Sequence, residues 1–202
     1  MKRYILGLPG ILIVLFALTG ISWKSSTISH HARATKTHVK TADQMYDTYI
    51  RDLYSAARLE ESGLSLPVFE KAITGFLNLK NSGKISADKS VLSIADFDKS
   101  STSKRLWIVD LDKKELILNT WVAHGQGSGA DKATRFSNIN NSFQSSMGFY
   151  VTGEIYTGQH GRSLRLDGMD EGFNSNARKR SIVVHGANYV SQGTINALGR
   201  LG

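Results

Sequence analysis

Residues 181–202 read SIVVHGANYVSQGTINALGRLG, and this stretch places a histidine at the end of an apolar strand. The run at 182–184 is β-branched and apolar, which is typical of a buried strand. Because Gly186 is expected to end that strand, His185 falls at the junction of a strand and a loop, where catalytic side chains are often found. A lone histidine at such a junction more often only bonds a loop carbonyl, so both roles stay open.

A helix is predicted directly after this junction. The pattern from Ser191 to Leu198 is helical, with Ser191 or Thr194 as the N-cap and Gly199 as the C-cap. His185 is therefore expected to lie between two regular elements.

The composition bounds the class of protein. The chain has 202 residues, of which 41% are hydrophobic and 21% charged, enough for one well-cored domain with an appendage. The net charge of +8 is concentrated near the N-terminus, since six of the 25 basic residues precede Asp43, the first acidic residue. The rest of the chain is nearly neutral and gives no electrostatic footprint for nucleic acid. The absence of cysteine excludes disulfides, thiolate metal sites and a cysteine nucleophile within these residues.

The N-terminal residues differ from the rest of the chain. Residues 1–23 combine a basic start with an uncharged apolar run and predict a signal peptide or a membrane anchor. Residues 24–40 are rich in Ser, Thr, His and Lys, which predicts a disordered linker. We therefore expect an exported protein of the periplasm or cell envelope, with membrane contact only through this segment.

Two helices followed by short strands define the predicted domain. Apolar residues at three- and four-residue spacing predict one helix over Thr41–Glu61 and a second that starts near Pro67 and is ended by the run Asn81-Ser82-Gly83, a helical hairpin within residues 41–89. Six strands are predicted in the segments SVLSIADF, KRLWIVDL, ELILNTWVAHG, GFYVTGEIY, SLRLDG and RSIVVHG. The expected fold is mostly β, an α+β domain over residues 90–202 behind two helices.

Each of the three histidines in this domain precedes a glycine, at His124, His160 and His185. A glycine after a strand lets the backbone turn sharply and lets a substrate approach the imidazole. We therefore predict that the three histidines form one site, with His124 and His185 facing one another across neighbouring strands.

Residue types alone leave three chemistries open for these histidines. Three imidazoles can hold a catalytic zinc ion with one open position, although the chain has no H-E-x-x-H helix. Ser128 in GQGSG is a candidate nucleophile, but the run lacks the G-x-S-x-G order. The third chemistry is a histidine that pairs with a nucleophile absent from these residues.

From about Leu66 onward the chain resembles the catalytic domain of murein L,D-transpeptidases, in the branch related to the YkuD domain. The resemblance is carried by the helix LPVFEKAITGFLNL, the block SIADFDKSSTSKRLWIVDL, the run VAHGQGSG and the segment from FSNINN to SIVVHGANYVS. It implies a β-sandwich or barrel with a Cys-His pair that acts on the tetrapeptide stems of peptidoglycan. It implies neither a cofactor nor a metal ion.

The resemblance also implies residue roles. His185 matches the histidine that activates the cysteine, and Gly186 matches the glycine beside it. His124 and His160 match recurrent positions of the family, and we predict that they bind substrate together with Gly186.

Two further residues, Arg165 and Tyr150, are predicted to bind substrate. A guanidinium fork matches the geometry of a carboxylate, so Arg165 could contact the carboxylates of stem peptides. Arg162 and Arg180 offer the same fork.

The S-x-G-C motif that follows the helix in this family has no counterpart in the 202 residues. The expectation is therefore an enzyme of the L,D-transpeptidase type represented by an incomplete chain, inactive as it stands because no thiolate can form an acyl-enzyme. Two alternatives stay open, a non-catalytic envelope protein that binds peptidoglycan and a three-histidine metallohydrolase.

Overall fold

The computed structural model describes residues 40–201 of the chain. In chain order the regular elements are α1 (Ala42–Ala56), α2 (Leu66–Asn81), β1 (Val91–Ala95), β2 (Leu106–Asp110), β3 (Glu115–Thr120), β4 (Tyr150–Gly158), β5 (Gly161–Gly168), β6 (Val183–His185) and α3 (Gln192–Leu198). The fold is mixed α+β, with two helices before the strands and one helix after His185. The α+β class is confirmed, whereas the expectation of a mostly β fold is wrong, because the helices hold about as many of the described residues as the strands do.

Helix α1 begins at a reciprocal cap. The backbone N–H of Gln44 donates to Oγ1 of Thr41 (3.2 Å), and the N–H of Thr41 donates to the Gln44 side chain (3.0 Å). This capping box satisfies two donors that a helix start otherwise leaves unpaired. The helix ends at Ala56, earlier than the predicted Glu61. The prediction was wrong at this end because Arg58 adopts a left-handed conformation (φ 50°), which an α-helix does not accommodate.

Helix α2 follows the sequence prediction closely. Pro67 lies in its first turn, where the fixed φ of proline suits a helix start. The apolar residues Phe69, Ile73 and Phe76 are buried along one face. Local signals at both ends were therefore sufficient to locate this helix.

The first sheet has the antiparallel order β1-β2-β3. The turn between β2 and β3 contains Lys113 and Lys114 as predicted, with Lys114 in the left-handed region (φ 55°). The sheet packs with the two helices around one apolar core, whose fully buried members include Trp107, Val109, Ile50, Leu53, Leu59, Leu64, Phe69 and Ile73.

The second sheet has the antiparallel order β4-β5-β6. Gly158 pairs with Gly161, so Gln159 and His160 form a two-residue turn between β4 and β5. The two sheets are separate, and no barrel forms within residues 40–201. The expectation of a sandwich or barrel therefore holds only in its coarser form, a mixed fold of two antiparallel sheets.

Several contacts from the later residues reach the first half of the domain, and two of them lie next to regular elements. The ring of Phe149 lies against Gly75 of α2, where an added Cβ would overlap it. The backbone N–H of Leu201 donates to Oγ of Ser101 (2.9 Å), and Leu201 is only 1% exposed. These contacts fix the chain just before β4 and just after α3.

The predicted signal peptide or anchor at 1–23 lies outside the described residues, as does nearly all of the predicted linker. Among the helices within residues 40–201, none is both long and apolar enough to cross a membrane. The domain boundaries proposed from the sequence stay predictions.

Candidate functional site

His185 is the last residue of β6 and ends a row of three side chains across the second sheet. The register pairs Tyr156 with Ser163, and Ser163 with His185. Directly paired residues of antiparallel strands share a face of the sheet, so the three side chains lie on one face. Ser163 is buried and His185 is half-buried, which leaves the imidazole accessible at the edge of this row.

The imidazole of His160 stacks on that of His185. Their ring centroids are 4.4 Å apart and their planes differ by 17°. His160 reaches this position from the turn between β4 and β5, next to the end of β6. The structure therefore brings together two of the three predicted histidines, in a face-to-face arrangement.

A hydrogen bond determines which nitrogen of His185 carries the proton. Nδ1 lies 2.8 Å from the backbone carbonyl oxygen of Gly186. A carbonyl oxygen can only accept, so Nδ1 must donate, and in the neutral ring Nε2 keeps the free lone pair. Gly186 thus takes part through its carbonyl, and His185 presents a proton acceptor at Nε2.

Arg165 lies on the same face of the sheet as His185, because it follows Ser163 by two residues along β5. Its Nε is 2.8 Å from Oε1 of Glu154, and its guanidinium lies over the ring of Tyr156 at 4.4 Å from the centroid. Arg165 therefore lies on the face that carries His185 and already pairs with a carboxylate of this chain. Its predicted contact with stem-peptide carboxylates stays a prediction.

A second arginine completes a charged network beside Arg165. Arg178 donates to Glu154 (2.9 Å) and to Asp167 (2.7 Å). Hydrogen bonds from Arg178 are the main cause that lowers the pKa of both carboxyl groups. The face that carries His185 therefore also carries a network of ionised groups of both signs.

Tyr150 lies on the other face of the second sheet. It pairs with Gly168, and side chains at even positions of β5 point away from the face of Ser163 and Arg165. Its hydroxyl donates to the carbonyl oxygen of Ser146 (2.9 Å), and burial is the main cause that raises its pKa. A substrate-binding role for Tyr150 stays a prediction, in a position that does not adjoin His185.

His124 is buried in the first half of the domain, with 5% of its surface exposed. Nη2 of Arg105 lies 2.7 Å from its Nδ1, and an arginine can only donate, so Nδ1 accepts. Nε2 must then carry the proton, and it faces the carbonyl oxygen of Gly129 at 3.3 Å. Burial, and next the charge of Arg105, lower the pKa of His124, which therefore stays neutral at pH 7.

The predicted pairing of His124 with His185 is wrong. His124 follows β3 of the first sheet, whereas His185 ends β6 of the second, and the two strands are not neighbours. The contact of Arg105 with His124 is not predictable from the sequence, because nothing around Arg105 distinguishes a fully buried arginine from an exposed one before a strand.

Ser128 has a structural role in the Gly-rich loop. It is fully buried, and its Oγ accepts a hydrogen bond from the backbone N–H of Ser145 (2.8 Å). Its carbonyl oxygen accepts from the N–H groups of Thr134 and Arg135, at 2.9 Å each. A buried hydroxyl engaged in this way is not presented to a substrate, so the geometry disfavours Ser128 as a nucleophile.

The histidines do not converge on a common metal position. His160 and His185 stack, and both nitrogens of His124 face protein partners. In the part of the chain that the structure describes, no group of three or more His, Cys, Asp or Glu side chains could hold a metal ion. The metallohydrolase alternative therefore has no geometric support there.

Arg180 orders the long loop between β3 and β4. Its two terminal nitrogens donate to the carbonyl oxygens of Ser137 and Gln144 and to the hydroxyls of Ser142 and Ser146. Its donors are therefore directed into the protein instead of towards a substrate. Arg162 is exposed, and its predicted contact with stem peptides stays a prediction.

The described residues form two antiparallel sheets, with a strand-end histidine that presents a proton acceptor at Nε2. Over residues 60–202 the chain matches the family described as L,D-transpeptidase catalytic domain (YkuD_2). The match covers well over half of the chain, which therefore belongs to this family of peptidoglycan transpeptidases, and the resemblance read from the sequence is confirmed. No curated protein and no solved structure matches the chain significantly.

Proposed function

We propose that this domain is the histidine-bearing part of a peptidoglycan L,D-transpeptidase and that Nε2 of His185 is the general base for a cysteine thiol. The observation that carries the proposal is the hydrogen bond from Nδ1 of His185 to the carbonyl oxygen of Gly186. It leaves Nε2 as an acceptor on a half-buried ring, which is what a base that activates a nucleophile requires. Family membership supplies the reaction class.

The reaction follows from this pair of groups. Nε2 takes the thiol proton, and the thiolate attacks the amide carbonyl that follows diaminopimelate in a tetrapeptide stem. The C–N bond breaks, and D-alanine leaves with a proton returned by the imidazolium. The acyl group then passes to an amine of a second stem, which forms a cross-link, or to water.

The thiol has to come from outside the 202 residues, which contain no cysteine. The family order places the S-x-G-C motif after the helix that here is α3. The predicted export signal at 1–23 would bring the enzyme to its wall substrate, and the linker would give it reach.

The direct test is to read the coding sequence beyond codon 202. If a cysteine motif follows, the complete protein should form an acyl-enzyme with a tetrapeptide donor, detected by mass spectrometry. Cys→Ala should abolish the adduct, and His185→Gln should slow its formation by about a hundredfold or more, because general-base assistance is lost. Gln126→Ala in the Gly-rich loop is the matched control and should retain activity. An adduct that forms at the wild-type rate in His185→Gln contradicts the role of His185.

One observation favours a second candidate, a non-catalytic protein that binds peptidoglycan. The chain as given has no thiol, and its charged network beside His185 offers ionic contacts to stem peptides that carry amines and carboxylates. A genuine stop after codon 202, together with sedimentation of the protein with purified sacculi, would establish this function and exclude acyl transfer.

A further inference from the structure

The proposed function uses His185 and leaves the stacked imidazole of His160 without a role. The two rings are 4.4 Å apart at 17°, closer to parallel than any other aromatic pair found in the described residues. His160 is itself exposed, so the stack is not a consequence of burial in an apolar core. A contact between the exposed ring of His160 and the half-buried ring of His185 requires its own explanation.

The chain around His185 provides few other constraints on its ring. Strand β6 is only three residues long, and Gly186 after it is exposed, with open space where a Cβ would be. The next helix, α3, buries none of its residues. The hydrogen bond from Nδ1 to the Gly186 carbonyl oxygen fixes one edge of the ring. It does not fix the orientation of the ring plane, which requires a further contact on a face of the ring.

We propose that His160 is a positioning residue, which packs against one face of the His185 ring and holds it with Nδ1 on the Gly186 carbonyl and Nε2 outward. This inference rests on the proposed function, in which Nε2 is the reacting atom. The turn of residues 158–161 lies just beyond the pairing of Ser163 with His185 and places the His160 ring at the end of β6. His160 also covers one face of His185, so an approaching thiol reaches Nε2 along the ring edge or from the other face.

The stack has a consequence for the tautomer. In water the Nε2–H form of a histidine side chain is the more populated one, opposite to the form that the Gly186 bond imposes on His185. If His160 is removed, the ring can rotate away from the carbonyl, and the Nε2–H form becomes populated. A phenylalanine at the same position keeps a flat ring against His185 and has no ionisable group, so it separates stacking from charge.

The test reads the tautomer directly in the 202-residue chain, by ¹⁵N chemical shifts of the His185 ring at a pH where it is neutral. In the wild type Nδ1 should give the shift of a protonated nitrogen and Nε2 that of an unprotonated one. His160→Ala should move both shifts towards their average, whereas His160→Phe should keep the wild-type pattern. Gln159→Ala, at the other exposed turn position, is the matched control and should change nothing. Unchanged shifts in His160→Ala, or equal changes in His160→Phe and His160→Ala, overturn the proposal.

A second measurement uses the complete protein that carries the cysteine. His160→Ala should lower kcat for acyl-enzyme formation by about tenfold to a hundredfold with little change in KM, and His160→Phe should restore most of it. A rise in KM with unchanged kcat would assign His160 to substrate binding and would overturn the proposal that it positions His185. The two proposals fail separately, because a wild-type protein without acyl transfer refutes the function, while the tautomer measurement needs no cysteine.

Discussion

The part of the domain before residue 125 and the part after it are stabilised by different interactions. The first part has a core of buried apolar side chains from α1, α2 and the first sheet. After residue 125 the buried apolar side chains within the described residues are Ala133, Ala177 and Leu201. On the second sheet, Ile155 is 57% and Val184 is 49% exposed. Side-chain hydrogen bonds and ion pairs of Arg165, Arg178 and Arg180 cross-link this part.

This difference separates stability from the site. Apolar burial contributes most to the free energy of unfolding, and it is concentrated where two helices cover the first sheet. The stacked histidines and the charged network lie on the second sheet, where local order depends on polar contacts. We therefore expect substitutions in the first part to change global stability and those in the second part to change local order near His185.

The largest effect is expected for Trp107→Ala. Trp107 is fully buried, and its indole N–H donates to Oγ of Ser62 (2.9 Å). Its removal should lower the free energy of unfolding by about 3–5 kcal/mol, through lost burial and the cavity left behind. Ile155→Ala on the second sheet is the matched comparison and should cost less than about 1 kcal/mol, since this side chain is mostly exposed. Urea unfolding measures both, and equal losses would refute the contrast between the two parts.

A smaller effect is expected for Arg180→Met, which removes the donors to the loop at residues 137–146. The carbonyl and hydroxyl oxygens of the loop lose their charged partner, and we expect the free energy of unfolding to fall by about 2–3 kcal/mol. Amide hydrogen exchange should become faster in that loop than in the wild type, with a smaller change in α2. Arg162→Met, at an exposed position, is the control and should stay within about 0.5 kcal/mol of the wild type. A uniform rise in exchange across the domain would mean that the loop is not a separate unit.

The smallest effect is a pH dependence carried by His124. Burial, and next the charge of Arg105, lower its pKa in the folded state, so the unfolded chain binds this proton more readily. Its contribution to stability is therefore complete above the unfolded value of about 6.5 and is lost as the pH falls from there through the folded pKa. His124→Gln keeps an acceptor for Arg105 and cannot titrate. Unfolding free energies at about pH 7.5 and pH 5.5 should differ less in the variant, and an equal difference would contradict this assignment.

The elements that depend on local signals are predictable from the sequence. Ser191 caps α3 through its side chain, and Gly199 ends it in the left-handed conformation, both as predicted. The turn at Lys113 and Lys114 was found for the same reason, since cap and turn residues act on the backbone next to them. The end of α1 was missed because the positive φ of Arg58 leaves no pattern in the residue order.

The strand pattern and the family resemblance single out His185 and Gly186, and the structure adds the hydrogen bond that joins them. Their roles in catalysis and substrate binding stay predictions. His160 and His124 carried the same His-Gly signal, yet one stacks on His185 and the other is buried beside Arg105. No spacing rule separates these two outcomes, because strand pairing joins residues that are distant in sequence.

The sequence by itself determined the helices, the strands, the position of a histidine at a strand end and the family to which the chain belongs. These features depend on apolar periodicity, on caps and on residue types, all of which are local. Only the tertiary structure decided which histidines meet and which nitrogen of His185 is free. The register of β5 with β6 and the turn at Gln159 and His160 bring one imidazole onto His185. The packing of the first sheet buries His124 against a buried arginine, where desolvation keeps it neutral.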